Sequence, residues 1–163
     1  MLKQVLIAAG IVALMSPTGM AQSAADIAKA EKGESCIDCN LFQAELSYAK
    51  IKNVTFAGSR LRQSNLTLST MDGVSFNRTN LSIANLYGGR FTGASFKNAD
   101  LTRAILVGGS FDAANFEGAN LTDANLSGAE MSKSRGLTQD QLNAACGDEF
   151  TKLPTGLSVQ HCS

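Results

Sequence analysis

An apolar residue recurs at every fifth position of the chain from Leu41 to Met131, without a single omission. With 44% hydrophobic residues overall, a run of nineteen such positions arises by chance on the order of 10⁻⁷ times. A small residue, mostly Ala or Ser, lies two positions before each apolar residue. A period of five matches neither the 3.6 residues of an α-helical turn nor the two residues of a β-strand. The pattern therefore predicts a chain that turns a corner every five residues.

A second period, of twenty residues, is superimposed on the first and divides the apolar series into four sides. Side 1 is centred on Leu41, Leu61, Leu81, Leu101 and Leu121, and side 2 on Leu46, Leu66, Leu86, Leu106 and Leu126. Side 3 is centred on Ile51, Met71, Phe91, Phe111 and Met131, and side 4 on Phe56, Phe76, Phe96 and Phe116. Stacked coils bury their core only against neighbouring coils. We therefore expect the central and the small residues to point inward and the other three positions of each pentapeptide to face water.

These pentapeptides carry a family resemblance. Residues 99–103 (Ala-Asp-Leu-Thr-Arg), 119–123 and 124–128 resemble the A-(D/N)-L-x-x unit of pentapeptide repeat proteins. The resemblance extends over about 95 residues and implies a right-handed quadrilateral β-helix. The expected fold is thus all-β, a pentapeptide-repeat solenoid of about five coils with a short C-terminal helix cap.

The segments outside the repeats are interpreted as a signal and two caps. Residues 1–21 contain a positive start, a short apolar run and a small-x-small site, which indicates a secretory signal peptide. A membrane anchor is the alternative, but the apolar run is too short to span a bilayer. Residues 22–38 are assigned as an N-terminal cap or linker, 39–133 as the β-solenoid, and 134–163 as a C-terminal cap.

Each cap contains one candidate helix. Ala24 to Lys32 is rich in alanine and is interpreted as a frayed helix or a linker. Thr138 and Gln141 have the spacing of a capping box, which predicts a short helix to about Cys146. An extended tail follows that helix.

Four cysteines in an exported chain favour disulfides. The economical pairing is local, Cys36 with Cys39 and Cys146 with Cys162, and the second bond would join the helix cap to the tail. The spacing of Cys36 and Cys39 also occurs in redox dithiols, but no βαβ pattern surrounds it. A zinc site shared by both pairs is not expected, because they lie at opposite ends of a shaft roughly 23 Å long.

Charge and composition give no indication of a catalytic, cofactor or metal site. The single histidine, His161, lies in the predicted tail and is expected to be solvated, and the carboxylates fall on different sides. The chain has 14 basic and 14 acidic residues, and removing residues 1–21 deletes one base, Lys3. A nearly neutral protein has no electrostatic basis for binding nucleic acid. We therefore expect a non-enzyme without nucleic-acid contacts and, after signal cleavage, without membrane contacts.

Six apolar residues occupy outward positions that the repeat otherwise leaves polar. They are Tyr48, Leu68, Ile83, Tyr87, Ile105 and Val107, here called the apolar patch. In the four-sided arrangement they fall on side 2 and on the corner before it, and Gly88, Gly108 and Gly128 leave the same side flat. An exposed apolar patch usually marks an interaction surface. The patch thus predicts an unknown protein partner or self-association, and the alternative is scattered surface residues covered by the N-terminal segment.

Together these inferences favour a non-catalytic bacterial repeat protein, periplasmic or secreted, that acts as a rigid protein-interaction scaffold. The resemblance implies a second function, because some pentapeptide repeat proteins resemble duplex DNA and bind type II topoisomerases. That mimicry requires a strongly acidic cytoplasmic rod, whereas this chain has a signal segment and balanced charge. An enzyme built on the caps would have only the cysteine pairs and His161 to support it.

Overall fold

The computed structural model describes residues 22–163, so the signal peptide assigned to residues 1–21 lies outside the described part. Outside the repeats it contains two helices and two short strands, namely α1 (Ala24–Glu31), α2 (Gln139–Asn143), β1 (Cys146–Gly147) and β2 (Gln160–His161). Strands β1 and β2 pair in parallel. Within residues 22–163, neither helix is long and apolar enough to cross a bilayer.

Parallel β-bridges between residues twenty positions apart hold the repeat region together, from Asn40–Arg60 to Asn115–Arg135. Each side contributes a pair of backbone hydrogen bonds per turn. On side 2, for example, Leu46 N–H donates to Asn65 C=O (2.8 Å), and Asn65 N–H donates to Ala44 C=O (2.9 Å). The bridges are single residue pairs because the chain turns immediately after each central residue. On any one side, the residues that lie on adjacent turns are therefore twenty positions apart in the sequence.

All nineteen central side chains are buried, with an exposed fraction of 2% or less. The small residues two positions before them are buried as well, apart from Ala49 and Val54, which are half-buried. Phe76 and Phe96 lie inside the coil with no exposed surface. The inward orientation predicted from the five-residue period is confirmed.

The phenylalanine rings form two stacks in this core. On side 4, Phe96 stacks on Phe76 and Phe116 with ring centroids 5.1 and 5.0 Å apart. On side 3, Phe91 stacks on Phe111 at 5.2 Å. The two stacks meet edge to face, as between Phe91 and Phe96 at 5.8 Å. This edge contact positions the side 3 rings over the small residues of their own pentapeptides.

Glycine is the residue beneath each of these side 3 rings. A Cβ atom on Gly89 would lie 2.6 Å from Phe91 Cε2, and one on Gly109 would lie 2.7 Å from Phe111 Cε2. On side 4 the rings leave room, and Ala94 precedes Phe96. The small position is therefore not equivalent on the four sides, a distinction that the sequence pattern did not predict.

Each of the two helices buries one side chain in the core, Ala30 of α1 and Leu142 of α2. Helix α1 is preceded by its N-cap residue Ser23, whose hydroxyl accepts a hydrogen bond from Asp26 N–H (3.3 Å). The Ala-rich stretch interpreted as a frayed helix or linker is thus helical. Helix α2 has the predicted capping box between Thr138 and Gln141.

The prediction that α2 extends to about Cys146 is wrong, because the helix ends at Asn143. Cys146 N–H instead donates to Ala124 C=O (3.0 Å), and Cys146 forms a β-bridge with Asn125. Backbone pairing of Cys146 with the last repeats therefore takes the place of a further turn of helix α2.

Both expected disulfides are present, Cys36–Cys39 and Cys146–Cys162. The first is buried at the N-terminal end, with 2% and 8% of the two residues exposed, whereas both residues of the second are half-buried. No cysteine is free in residues 22–163.

Candidate interaction surface

Five of the six residues of the apolar patch are exposed. Their exposed fractions are 68% for Tyr48, 50% for Tyr87, 45% for Leu68, 40% for Ile105 and 36% for Ile83. The sixth, Val107, is half-buried. Within residues 22–163, the N-terminal segment does not cover these exposed residues, so their contact with a partner stays a prediction.

Backbone hydrogen bonds place the patch residues on neighbouring turns of side 2. Leu68 N–H donates to Tyr87 C=O (2.8 Å), and Gly88 N–H donates to Val107 C=O (2.9 Å). Leu86 N–H donates to Ile105 C=O (2.8 Å). Leu68, Tyr87, Ile105 and Val107 therefore lie on adjacent turns of one side.

The residues two positions after each central residue of side 2 form a column at the turn, here called the turn column. Large side chains are unevenly distributed along it. Its occupants all have a left-handed φ of 55–65°, and they are Tyr48, Leu68, Gly88, Gly108 and Gly128. The Leu68 side chain leans towards the C-terminal end, since a Cβ on Gly88 would lie 2.7 Å from Leu68 Cδ2. A Cβ on Gly108 would meet nothing within 4 Å. The N-terminal half of this column is bulky, and the C-terminal half is bare backbone.

The ion pairs of residues 22–163 lie away from this surface. On side 3, Asp72 accepts from Arg90 (Nη2 to Oδ2, 2.6 Å) and lies 3.8 Å from Lys52 Nζ. On side 4, Lys97 Nζ lies 2.9 Å from Glu117 Oε1. Side 2 is thus the least charged surface of the repeat region, and burying it against a partner requires little desolvation of charge.

Two carboxylates near the C-terminal end have lowered pKa values, Glu130 in the last repeats and Asp148 after them. A hydrogen bond from the Ser132 hydroxyl, together with Lys152 Nζ at 3.0 Å, lowers the pKa of Glu130 to about 2. Desolvation opposes the shift at Asp148, but hydrogen bonds from Gly128 N–H (2.8 Å) and the Thr151 hydroxyl (2.9 Å) still hold its pKa below the ordinary value. Both ionised groups connect the cap to the last repeats.

A cleft of about 450 Å³ at the C-terminal end is lined in part by Asp123, Cys146, His161 and Cys162. His161 is exposed on strand β2, as expected for a solvated tail residue. Cys146 and Cys162 are joined in a disulfide, so neither provides a thiol nucleophile there.

At the N-terminal end, Asp26 brings a carboxylate next to the first cysteine pair. Ligand atoms of Asp26, Cys36 and Cys39 lie within 4.8 Å of one another, and Asp26 Oδ2 accepts a hydrogen bond from Asn40 N–H (2.9 Å). Metal ligation requires thiolates, and here both sulfurs belong to a disulfide. Sequence reasoning missed Asp26 because it lies on α1, ten residues before Cys36, in no recognisable spacing.

Three solved structures similar to this chain illustrate the range of proteins with such repeats. A pentapeptide repeat protein of the Arabidopsis thaliana thylakoid lumen is 24% identical over 69% of this chain and 74% of that chain, with a TM-score of 0.41. HetL of the cyanobacterium Nostoc sp. strain PCC 7120, involved in heterocyst differentiation regulation, is 21% identical over 69% of this chain and 61% of that chain, with a TM-score of 0.36. QnrB1, a plasmid-mediated fluoroquinolone resistance protein, is 18% identical over 78% of this chain and 88% of that chain, with a TM-score of 0.41. These likenesses carry no argument about function, and no curated protein matches the chain significantly.

Family models give a firmer assignment. Two models, each described as pentapeptide repeats, match the repeat region. One matches residues 39–78 and 49–86, and the other matches residues 90–135, so that together they cover more than half of the 163 residues. The chain therefore belongs to the pentapeptide repeat family, as the resemblance in its sequence indicated.

Proposed function

We propose that this chain is a non-catalytic, exported repeat protein that acts as a rigid protein-interaction scaffold and binds its partner through side 2. Its framework would be a right-handed quadrilateral β-helix of about five coils, closed by the C-terminal cap. The observation that carries the proposal is the exposed apolar patch around Tyr87 and Ile105, on a side where residues 22–163 form no ion pair. Removing such an exposed apolar surface from water stabilises a complex with a partner.

Export to the periplasm or the cell exterior is supported by cysteine usage. Both disulfides are formed, and such bonds persist in oxidising compartments. The signal-like composition of residues 1–21 agrees with this localisation. Fractionation of bacteria that express the full chain, with N-terminal sequencing, tests it. We expect a periplasmic or extracellular product that begins at Gln22, whereas a full-length cytosolic product with free thiols would contradict export.

The absence of a catalytic role is proposed on chemical grounds. The four cysteines of residues 22–163 are tied in disulfides, which removes their thiol chemistry. Topoisomerase binding by DNA mimicry is not proposed, because the chain has as many basic as acidic residues, and Arg78 and Arg103 are exposed at its turns.

Affinity capture with chemical crosslinking from the periplasm tests the binding surface. The test variant combines Tyr87→Ser with Ile105→Ser, and Arg78→Ser on side 4 is the matched control that removes a large exposed side chain elsewhere. We expect the partner captured by the unmodified chain and by the control to be lost from the double variant. Equal capture by all three proteins would overturn the proposal.

A further inference from the structure

We infer that the partner of side 2 is a second copy of this chain, packed face to face and antiparallel about a two-fold axis at the turn that contains Leu86. The inference rests on the proposed function, in which side 2 is the binding surface. It goes further by naming the occupant and the register of the contact. The five turns of side 2 are numbered here as levels 1 to 5 by their central residues, Leu46, Leu66, Leu86, Leu106 and Leu126.

The turn column of side 2 is complementary to itself under this rotation. A two-fold axis at level 3 exchanges level 1 with level 5 and level 2 with level 4. Tyr48 of one copy then lies over Gly128 of the second copy, and Leu68 lies over Gly108. Gly108 has free space for such a side chain, since a Cβ built on it meets nothing within 4 Å. The large side chains in the N-terminal half of one copy's turn column thus lie over glycines in the C-terminal half of the other copy's column.

Two further columns bring apolar residues together about the same axis, whereas in the column before the central residue Ile105 would meet Asn65 of the second copy. At level 3, Ile83 and Tyr87 would each meet their own equivalent in the second copy, which brings the most apolar level together. On the neighbouring levels, Thr67 would meet Val107 of the second copy.

The charged residues of this surface would each face a neutral amide. The rotation pairs Arg103 with Gln63 and Asp123 with Gln43 of the second copy. It also pairs Glu45 with Asn125. No two like charges are opposed, and each charge has a hydrogen-bonding partner in place of water.

The dimensions of side 2 limit the strength of the dimer. Five levels spaced about 4.8 Å apart, with three extended residues across, give a face of about 24 by 10 Å. This is well below the roughly 800 Å² per partner of a standard interface. We therefore expect a weak dimer that forms only at high protein concentration.

Disulfide trapping tests the register. Tyr87→Cys, on the axis, should give a covalent dimer under mild oxidation, and Arg78→Cys on side 4 should not. Thr67→Cys and Val107→Cys should each crosslink poorly alone, because each lies one level from the axis and about 10 Å of vertical distance separates it from its own equivalent. Mixed together they should give a crosslinked heterodimer several-fold in excess of either homodimer. Peptide mapping confirms that both native disulfides remain intact.

Sedimentation over a concentration series up to about 1 mM measures the dimer without crosslinking. Gly108→Asn fills the bare strip, and Gly93→Asn on side 3 is a matched control with the same left-handed φ and the same free space. We expect at least tenfold weaker association for Gly108→Asn and no change for Gly93→Asn.

The outcomes separate this inference from the proposed function. A chain that stays monomeric throughout, or a heterodimer no more abundant than the homodimers, overturns the two-fold dimer. If the Tyr87→Ser, Ile105→Ser variant nevertheless loses a captured protein, side 2 remains a binding surface for another partner. If neither association nor capture depends on side 2, both proposals fail.

Discussion

Replacing Gly89 with alanine adds one methyl group beneath the Phe91 ring. The backbone at Gly89 is not left-handed, so alanine is compatible with it and the effect is one of space. The added Cβ would lie 2.6 Å from Phe91 Cε2, 3.0 Å from Cζ and 3.3 Å from Leu86 C=O. The ring has no room to retreat, because Phe111 stacks on it at 5.2 Å and Phe96 meets it at 5.8 Å.

The expected loss of stability follows from two opposing terms. Inserting a methylene-sized group into a packed core destabilises a protein by about 1–3 kcal/mol. Alanine also restricts the unfolded chain, which stabilises by about 0.4–1 kcal/mol. The net effect of Gly89→Ala is a loss of about 1–2 kcal/mol, which for a chain of this size lowers the Tm by about 2–8 °C.

Thermal and urea unfolding followed by circular dichroism measure this loss, and a second substitution tests its cause. Phe91→Leu removes the atoms that clash, so Gly89→Ala should cost much less in a Phe91→Leu background. A double-mutant cycle should therefore give a favourable coupling of about 1 kcal/mol. If Gly89→Ala is as stable as the unmodified chain, or if the two effects are additive, the edge-to-face account of the core is wrong.

Three further predictions concern the ends of the coil. Within residues 22–163, the backbone N–H and C=O groups of Glu45 and Lys50 have no partner on the N-terminal edge, and the two charges protect this edge from pairing with another chain. Replacing both residues with Thr should therefore produce concentration-dependent association in light scattering. A monodisperse variant would contradict this view. Because the pKa of Glu130 falls from 4.5 to about 2 on folding and that of Asp148 is also lowered, their contribution is complete above pH 4.5 and is lost as the pH falls towards 2. The protection factors of the Gly128 and Lys152 amides against hydrogen exchange should fall in that window before the repeats unfold, and unchanged protection would count against it. With increasing reductant, the half-buried Cys146–Cys162 bond should open before the buried Cys36–Cys39 bond, because the reductant reaches the more accessible disulfide first. Alkylation followed by mass spectrometry measures the order, and the reverse order would refute this argument.

The sequence predicted the interior of this protein well because the period of the repeat is unbroken. Once the period is five within a turn and twenty between turns, the environment of a residue such as Leu86 is fixed by Leu66 and Leu106. Counting positions along the sequence then identifies which residues are buried and which are exposed. The direction of a ring does not follow by counting, since the Phe91 ring turns in response to Phe96 on the adjacent side. The requirement for glycine at positions 89 and 109 was therefore visible only in three dimensions.

The ends were predicted less well because the period stops there and local signals compete with pairing. The capping box at Thr138 correctly marked where α2 begins. The end of α2 depends instead on a bridge between Cys146 and Asn125. No sequence pattern near Cys146 predicts this contact. The proximity of Asp26 to Cys36 likewise depends on how α1 lies across the first turn.

The glycines of side 2 show how far an exception to the pattern can be interpreted. A left-handed turn is the usual reason for glycine at such a position, because residues with a Cβ are disfavoured there. Yet twelve non-glycine residues between positions 22 and 163 hold the same conformation, among them Tyr48, Arg78 and Ile83, so the turn accepts large side chains. Side 1 has no glycine at its turn column and side 3 has two in succession, Gly73 and Gly93, whereas side 2 has three, Gly88, Gly108 and Gly128. The turn alone does not explain this succession, and a surface that must be flat to receive Leu68 of a second copy does.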